Sequence, residues 1–169
     1  MTEPAALKAF LVKTPFFGGL DDAQLDRVVG MLRPRDCPAG AQVFREGDDG
    51  RSMYVVEFGE LLAIQAGSSG HPVKLMRFGP GDFFGETTLI EMQPRPFGVV
   101  GDRPARLHEL TNADLYELYR KDVKAYVLVL QNINRELCRR LRRAGDRITQ
   151  YADEDKDDIT QLGTRRLGK

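Results

Sequence analysis

Apolar positions change their spacing twice along this chain. From Pro4 to Leu32 they recur at helical intervals: Ala6, Phe10 and Leu11 form one stripe, and Leu20, Leu25, Val28, Val29 and Leu32 form another. Asp21 or Asp22 is placed to cap the second helix. Between the stripes lies TPFFGGL, whose proline and two glycines predict a turn that buries Phe16 and Phe17. From Arg33 to Leu110 the spacing becomes that of strands. Segments 42–45, 52–58, 60–65, 73–78, 98–100 and 106–110 are short and rich in β-formers. PAG at 38–40, EGDDG at 46–50, AGSSGHP at 66–72 and FGPGD at 78–82 supply the turns. Many short strands punctuated by glycine predict an antiparallel β-roll, a small jelly-roll-like barrel.

Helical spacing returns at Asn112. Thr111 or Asn112 caps a short helix over 113–119, and a much longer helix begins near Asp122. In it Val127, Leu130, Asn134, Leu137, Leu141, Ala144, Ile148 and Tyr151 recur in steps of three and four, a heptad seam that predicts a coiled coil. Asn134 is polar at a core position; in a parallel pair two such residues bond each other and fix register. A single amphipathic helix lying on the barrel is the alternative. The whole reads as an α+β chain. Residues 1–32 form an N-terminal helical region, 33–111 the β-roll, 112–152 the hinge helix and long dimerisation helix, and 153–169 a flexible charged tail.

Composition removes several classes of function. The 25 basic and 25 acidic residues cancel, so no global positive field attracts nucleic acid. The arginine run at 135–147 reads as a solvated helix face with acidic residues 153–158 following it. Cys37 and Cys138 are far apart and His71 and His108 are isolated, which predicts free thiols and no metal site. No run is apolar enough to span a membrane and the N-terminus is not a secretory leader, so a soluble, cytoplasmic protein is expected. No Ser/His/Asp, Cys/His or paired-carboxylate arrangement supports catalysis, and no enzyme is expected.

The most informative stretch is GDFFGETTLIEMQPR, residues 81–95. Phe83 and Phe84 can anchor it to a core, and Gly85 permits a sharp turn. Glu86 opens a short helical turn whose first N–H groups have no partner within the helix. Arg95 follows after Pro94 and offers a planar fork to an anion. A carboxylate for hydroxyls beside a guanidinium and amides for a phosphate suits a nucleotide.

With TPFFGGLDDAQLDRVV at 14–29, PAGAQVFREGD at 38–48 and SMYVVEFGEL at 52–61 preceding that stretch, the chain resembles the cyclic nucleotide-binding domain family over residues 14 to 150. The likeness is to the catabolite activator and protein kinase A regulatory subunit type. It implies that Gly85 and Glu86 hold the ribose 2′-hydroxyl, that Arg95 pairs with the cyclic phosphate, and that Thr87 and Thr88 bring backbone amides to the ligand. It also implies that cyclic AMP or cyclic GMP is the ligand and that no separate cofactor is needed. Two positions depart from the family pattern. Pro96 stands where a small residue usually gives an N–H to the phosphate, and Phe97 is bulky where the pattern is small. Positions matching the base-contacting hydroxyls of bacterial activators fall on Ala144 and Gly145, with Arg142 and Arg143 nearby. Phe84, Phe97, Arg142 and Ala144 are therefore candidates for the pocket wall or lid.

Many bacterial relatives continue into a DNA-reading helix-turn-helix, whereas fewer than 20 residues follow Tyr151 here. The expected protein is a stand-alone, homodimeric cyclic nucleotide sensor that signals to an unidentified protein partner by movement of its C-terminal helix, without DNA or membrane binding. The alternative is a degenerate module of the same fold that serves as a ligand-independent dimeric scaffold.

Overall fold

The computed structural model describes residues 4–67 and 70–165, with side chains described as far as Asp153. It divides into two units, Met1–Asn132 and Ile133–Lys169. The first begins with helix α1 (Pro4–Leu11), a 3-10 turn (Pro15–Phe17) and helix α2 (Asp22–Val29). Asp21 caps α2 in a reciprocal capping box with Gln24, which satisfies two otherwise unpaired main-chain donors. Phe16 and Phe17 are buried, as the turn predicts.

Eight strands follow: β1 (Arg33–Cys37), β2 (Gln42–Phe44), β3 (Ser52–Phe58), β4 (Leu61–Ala66), β5 (Pro72–Phe78), β6 (Phe83–Phe84), β7 (Gly98–Gly101) and β8 (Ala105–Thr111). They form two antiparallel four-stranded sheets, ordered β1-β8-β3-β6 and β2-β7-β4-β5, the expected roll. Two strands escape the apolar pattern. β1 reads RPRDC and buries only Cys37, pairing as an edge with β8, while β6 is two residues long. The barrel interior is built from Val43, Phe44, Tyr54, Val56, Leu61, Phe78, Phe84, Val99 and Leu107, among others. Phe84 stacks on Phe78 at 4.9 Å and on Tyr54 at 5.3 Å. On the next residue the pleat reverses, and Phe83 meets Phe16 edge-on at 5.2 Å, locking the N-terminal turn to the sheet.

Between β6 and β7 lies the short helix α3 (Thr87–Glu91), and after β8 comes α4 (Asn112–Lys121). Thr111 caps α4 in a second capping box with Asp114, and Arg33 grips Asp114 through two nitrogens at 2.7 and 3.1 Å. Asp122 breaks the helix and at once caps the next, accepting from the Ala125 N–H at 2.9 Å while pairing with Arg27 and Gln24 of α2. The long helix α5 (Val123–Arg165) starts there.

Residues 123–132 of α5 belong to the first unit. Ala125, Val129 and Asn132 are buried there, and Asn132 donates to the carbonyls of Phe16 and Gly18 at 2.9 and 2.8 Å. The expected seam is a different stripe. Val127, Asn134, Leu141, Ala144, Ile148 and Tyr151 are exposed, and Leu130 and Leu137 half-buried. The backbone stays helical to Arg165, through most of the segment read as a flexible tail from residue 153, and 166–169 lie outside the described residues. Residues 153–162, DEDKDDITQL, contain no proline or glycine to stop a helix already under way.

Candidate functional site

The stretch 81–97 hangs from β3. Gly81, at φ 87°, donates to the Val56 carbonyl at 2.9 Å, and Asp82 returns a carbonyl to the Val56 N–H at 2.9 Å. Phe84 then pairs with Tyr54 and the chain turns at Gly85, where φ is 83°. Glycine is required there twice over. The left-handed backbone disfavours a side chain, and a Cβ would stand 2.6 Å from Arg95 Nη1 and 3.2 Å from the Ser52 carbonyl oxygen. Glu86 follows at the head of α3, 1% exposed, and its carboxylate does not cap the helix. Met92 ends α3 in the left-handed conformation, φ 54°.

Arg95 is the centre of the arrangement. Its Nη1 donates to the Gly85 carbonyl at 2.8 Å and to Thr88 Oγ1 at 2.9 Å, and its Nη2 donates to the Ser52 carbonyl at 2.6 Å. Thr88 Oγ1 in turn donates to the Gly85 carbonyl at 2.9 Å. The guanidinium carbon lies 4.0 Å from the centre of the Phe44 ring. Only 3% of Arg95 is exposed, and Nε is buried without a hydrogen-bond partner. Burial pushes its pKa down, against the charges of Tyr54, Glu86 and Asp48. The main chain clamps the same residue: its N–H donates to the Asp48 carbonyl and its carbonyl accepts from Gly47, both at 2.9 Å. Gly50, at the end of that EGDDG turn, presses close enough that a Cβ would sit 2.7 Å from Arg95 Nε.

A polar hub stands behind it. Tyr54 Oη accepts from Arg35 Nη1 at 3.0 Å and from Ser52 Oγ at 3.1 Å, and donates to Glu109 Oε1 at 3.0 Å. Burial raises the Tyr54 pKa, so the phenol keeps its proton. Sequence reading found neither this hub nor Ser52. The signal available was a tyrosine among the apolar residues of a largely buried strand, which demands a partner for its hydroxyl.

The structure therefore gathers Gly85, Glu86, Thr88 and Arg95 at one place, with Thr87 half-buried beside them. Pro96 and Phe97 part company. Pro96 is exposed and its carbonyl accepts from Gln65 Nε2 at 3.1 Å, while Phe97 is half-buried and packs against the barrel core, as do Leu75 and Met76. A cleft of about 390 Å³ opens nearby, walled by Gly50, Arg51, Thr88, Met92, Pro94 and Asn112 among others, but not by Glu86, Arg95 or Phe97. Arg142 and Ala144 belong to the second unit, where both are exposed.

Among the described residues, no cluster of His, Cys, Asp or Glu could hold a metal ion, and no helix is long and apolar enough to cross a membrane. Cys37 is buried, Cys138 is exposed, and both are free thiols.

Comparison with known proteins agrees with the fold. The chain is 30% identical over 135 residues to the cyclic AMP receptor protein of Thermus thermophilus, covering 78% of this chain and 59% of that one. It is 35% identical over 101 residues to the cAMP-dependent protein kinase regulatory subunit of Pyricularia oryzae, covering 60% of this chain and 25% of that one. The crystal structure of the Thermus thermophilus catabolite activator protein superposes with a TM-score of 0.72 at 29% identity, over 82% of this chain and 63% of that one. This chain thus spans less than two thirds of each of these relatives. A family profile described as cyclic nucleotide-binding domain matches residues 34–122, a little over half of the chain, from the second residue of β1 to just past the end of α4. The chain belongs to the cyclic nucleotide-binding domain family.

Proposed function

We propose that this chain is a cyclic nucleotide-responsive regulatory protein, a homodimer through α5, and that its output is a ligand-linked movement of that helix toward a protein partner. The observation that carries the reading is the placement of Arg95 and Glu86. Both are almost wholly buried in one short stretch, so neither charge is a solvated surface group. Glu86 would accept the ribose 2′-hydroxyl and Arg95 the cyclic phosphate, with cyclic AMP or cyclic GMP as the ligand. The role is regulated binding and not catalysis.

The hydrogen bonds suggest how binding would act. Arg95 ties this stretch to β3 through the Ser52 carbonyl. A phosphate offers the same fork two better acceptors, because they are charged. Exchanging Ser52 and Gly85 for phosphate would release the stretch from β3 and let it move relative to the roll. Asp122, which ends one helix, caps the next and is gripped by Arg27, is the joint at which α5 would turn. The ligand favours whichever state leaves Arg95 free, which is a population shift.

A second reading is a ligand-independent dimeric scaffold of the same fold. Phe97 packed on the barrel core, Pro96 without an N–H, and an arginine already supplied with protein acceptors favour it. Isothermal titration of the full chain with cyclic AMP and cyclic GMP separates the two. Saturable heat that is lost in Arg95→Lys supports the sensor, because lysine keeps the charge and loses the fork. Absence of heat at millimolar ligand leaves the scaffold.

A further inference from the structure

We propose that the cleft between the EGDDG turn, the exit of α3 and the head of α4 is a second effector site, and that it takes a small zwitterion with an apolar body, an α-amino acid. Occupancy of the cleft stands apart from the nucleotide reading above, whereas its effect through Arg95 rests on that reading.

The cleft holds about 390 Å³, within the range of small-molecule sites. Four polar side chains line it from three segments: Asp49 and Arg51 from the turn, Gln93 from the exit of α3, and Asn112 from the head of α4. None of these four side chains forms a hydrogen bond or ion pair with any of the described residues. Asp49 and Arg51 stand two residues apart and carry opposite charges, yet they do not pair with each other. A ligand that carries both charges uses both: its carboxylate meets the Arg51 fork and its ammonium meets Asp49. A simple anion would also face the Asp49 carboxylate, and a bare cation the Arg51 guanidinium, so neither fits the pair. Met92 and Pro94 supply the apolar wall for the ligand body. Met92 is held there against the preference of its backbone, at φ 54° with 81% of the residue exposed.

Main-chain bonds fix the frame of the cleft. The Asn112 N–H donates to the Arg51 carbonyl at 2.8 Å and ties α4 to the turn, and the Arg95 N–H, just past the exit of α3, donates to the Asp48 carbonyl of the same turn at 2.9 Å. Gly50 and Thr88 also line the cleft, and both touch Arg95. Thr88 Oγ1 accepts from Arg95 Nη1 at 2.9 Å. Gly50 lies so close that a Cβ would stand 2.4 Å from Thr88 Oγ1 and 2.7 Å from Arg95 Nε. A guest in the cleft therefore presses on the wall that holds the candidate phosphate ligand without reaching that ligand itself. The factor by which it changes nucleotide affinity is the factor by which the nucleotide changes its own.

An NMR titration of the full chain with L-leucine tests occupancy. The controls are L-leucinamide, which lacks the carboxylate, and N-acetyl-L-leucine, which lacks the ammonium. Leucine should give saturating shifts of the Gly50, Arg51, Gln93 and Asn112 amides, and each control should bind about three- to fivefold more weakly, the scale of one exposed charge pair. Arg51→Gln should erase the difference between leucine and leucinamide and keep that between leucine and N-acetyl-leucine; Asp49→Asn should do the converse. Both side chains are exposed and bonded to no described residue, so the fold is retained. No saturation at tens of millimolar leucine, equal binding of all three compounds, or differences that persist in the variants overturns the site. Repeating the leucine titration at saturating cyclic AMP or cyclic GMP tests the linkage. A changed leucine affinity, matched by an equal change in nucleotide affinity when leucine is present, supports it. An unchanged affinity while the nucleotide binds overturns the linkage and leaves the cleft. Leucine binding in a chain that binds neither nucleotide supports the cleft and overturns the sensor reading alone.

Discussion

The guanidinium of Arg95 sits face-on over Phe44, 4.0 Å from the ring centre. The one arginine of residues 81–97 is thus packed as a core residue as well as being the candidate phosphate ligand, and the two roles make separable predictions.

As a core residue, Arg95 supplies donors to three oxygens and a cation to an aromatic face. Arg95→Ala strips the Gly85 and Ser52 carbonyls of that donor and opens space beside Phe44. The expected loss is about 3 kcal/mol of unfolding free energy, read from the urea midpoint without ligand. A change under about 0.5 kcal/mol would show that the contacts with Gly85, Thr88 and Ser52 contribute nothing to the fold.

Asn132 joins α5 to the N-terminal turn through two hydrogen bonds from one amide. Asn132→Ala leaves the Phe16 and Gly18 carbonyls without that donor, and a destabilisation of about 2 kcal/mol is expected. Amide exchange should quicken in α1 and in residues 123–132 before it quickens in β3. Uniform protection across all three would contradict the joint.

The site and the fold were unequally legible. Ser52–Phe58 announced itself as a strand because both of its faces are buried and all but two of its residues are apolar. Arg33–Cys37 did not, because four of its five residues face solvent and the strand exists only through its ladder with β8. Gly85, Glu86 and Arg95 were readable by type and spacing. What holds Arg95 was not, since its partners from Ser52 and Gly85 are main-chain carbonyls, which every residue carries. Asn132 was hidden by periodicity. It sits on the stripe of Ala125 and Val129, one face away from the seam that the heptads picked out.

Acid sensitivity follows from Asp114. Burial alone would raise its pKa, but the Arg33 fork and the Thr111 donors outweigh it and hold the carboxyl below its ordinary value. Depression in the folded state means that the group stabilises the fold above its unfolded pKa of about 3.9. That contribution is lost as pH falls through the lower folded value. Asp114→Asn should lower stability at neutral pH and flatten the dependence of stability on pH below about 4. An unchanged slope would remove Asp114 from the acid response.

Pro96 has no N–H to offer a phosphate, and it is exposed, so replacing it need not disturb the core. Pro96→Ala restores the donor. One added charge-assisted bond should tighten cyclic nucleotide binding by at least about tenfold, measured by calorimetry against the unaltered chain. Equal affinities would mean that the missing amide is not what limits the site.

The most direct test of nucleotide binding at residues 85–95 is a nitrogen-15 NMR titration of the full chain with cyclic AMP and cyclic GMP. The signals to follow are the Arg95 Nε–H and the Gly85 and Thr88 amides. Exchange of the Ser52 and Gly85 carbonyls for phosphate predicts large, saturating shifts of the Arg95 side-chain signal, with the Gly85 amide moving in step. Signals unmoved by millimolar amounts of either nucleotide would contradict it.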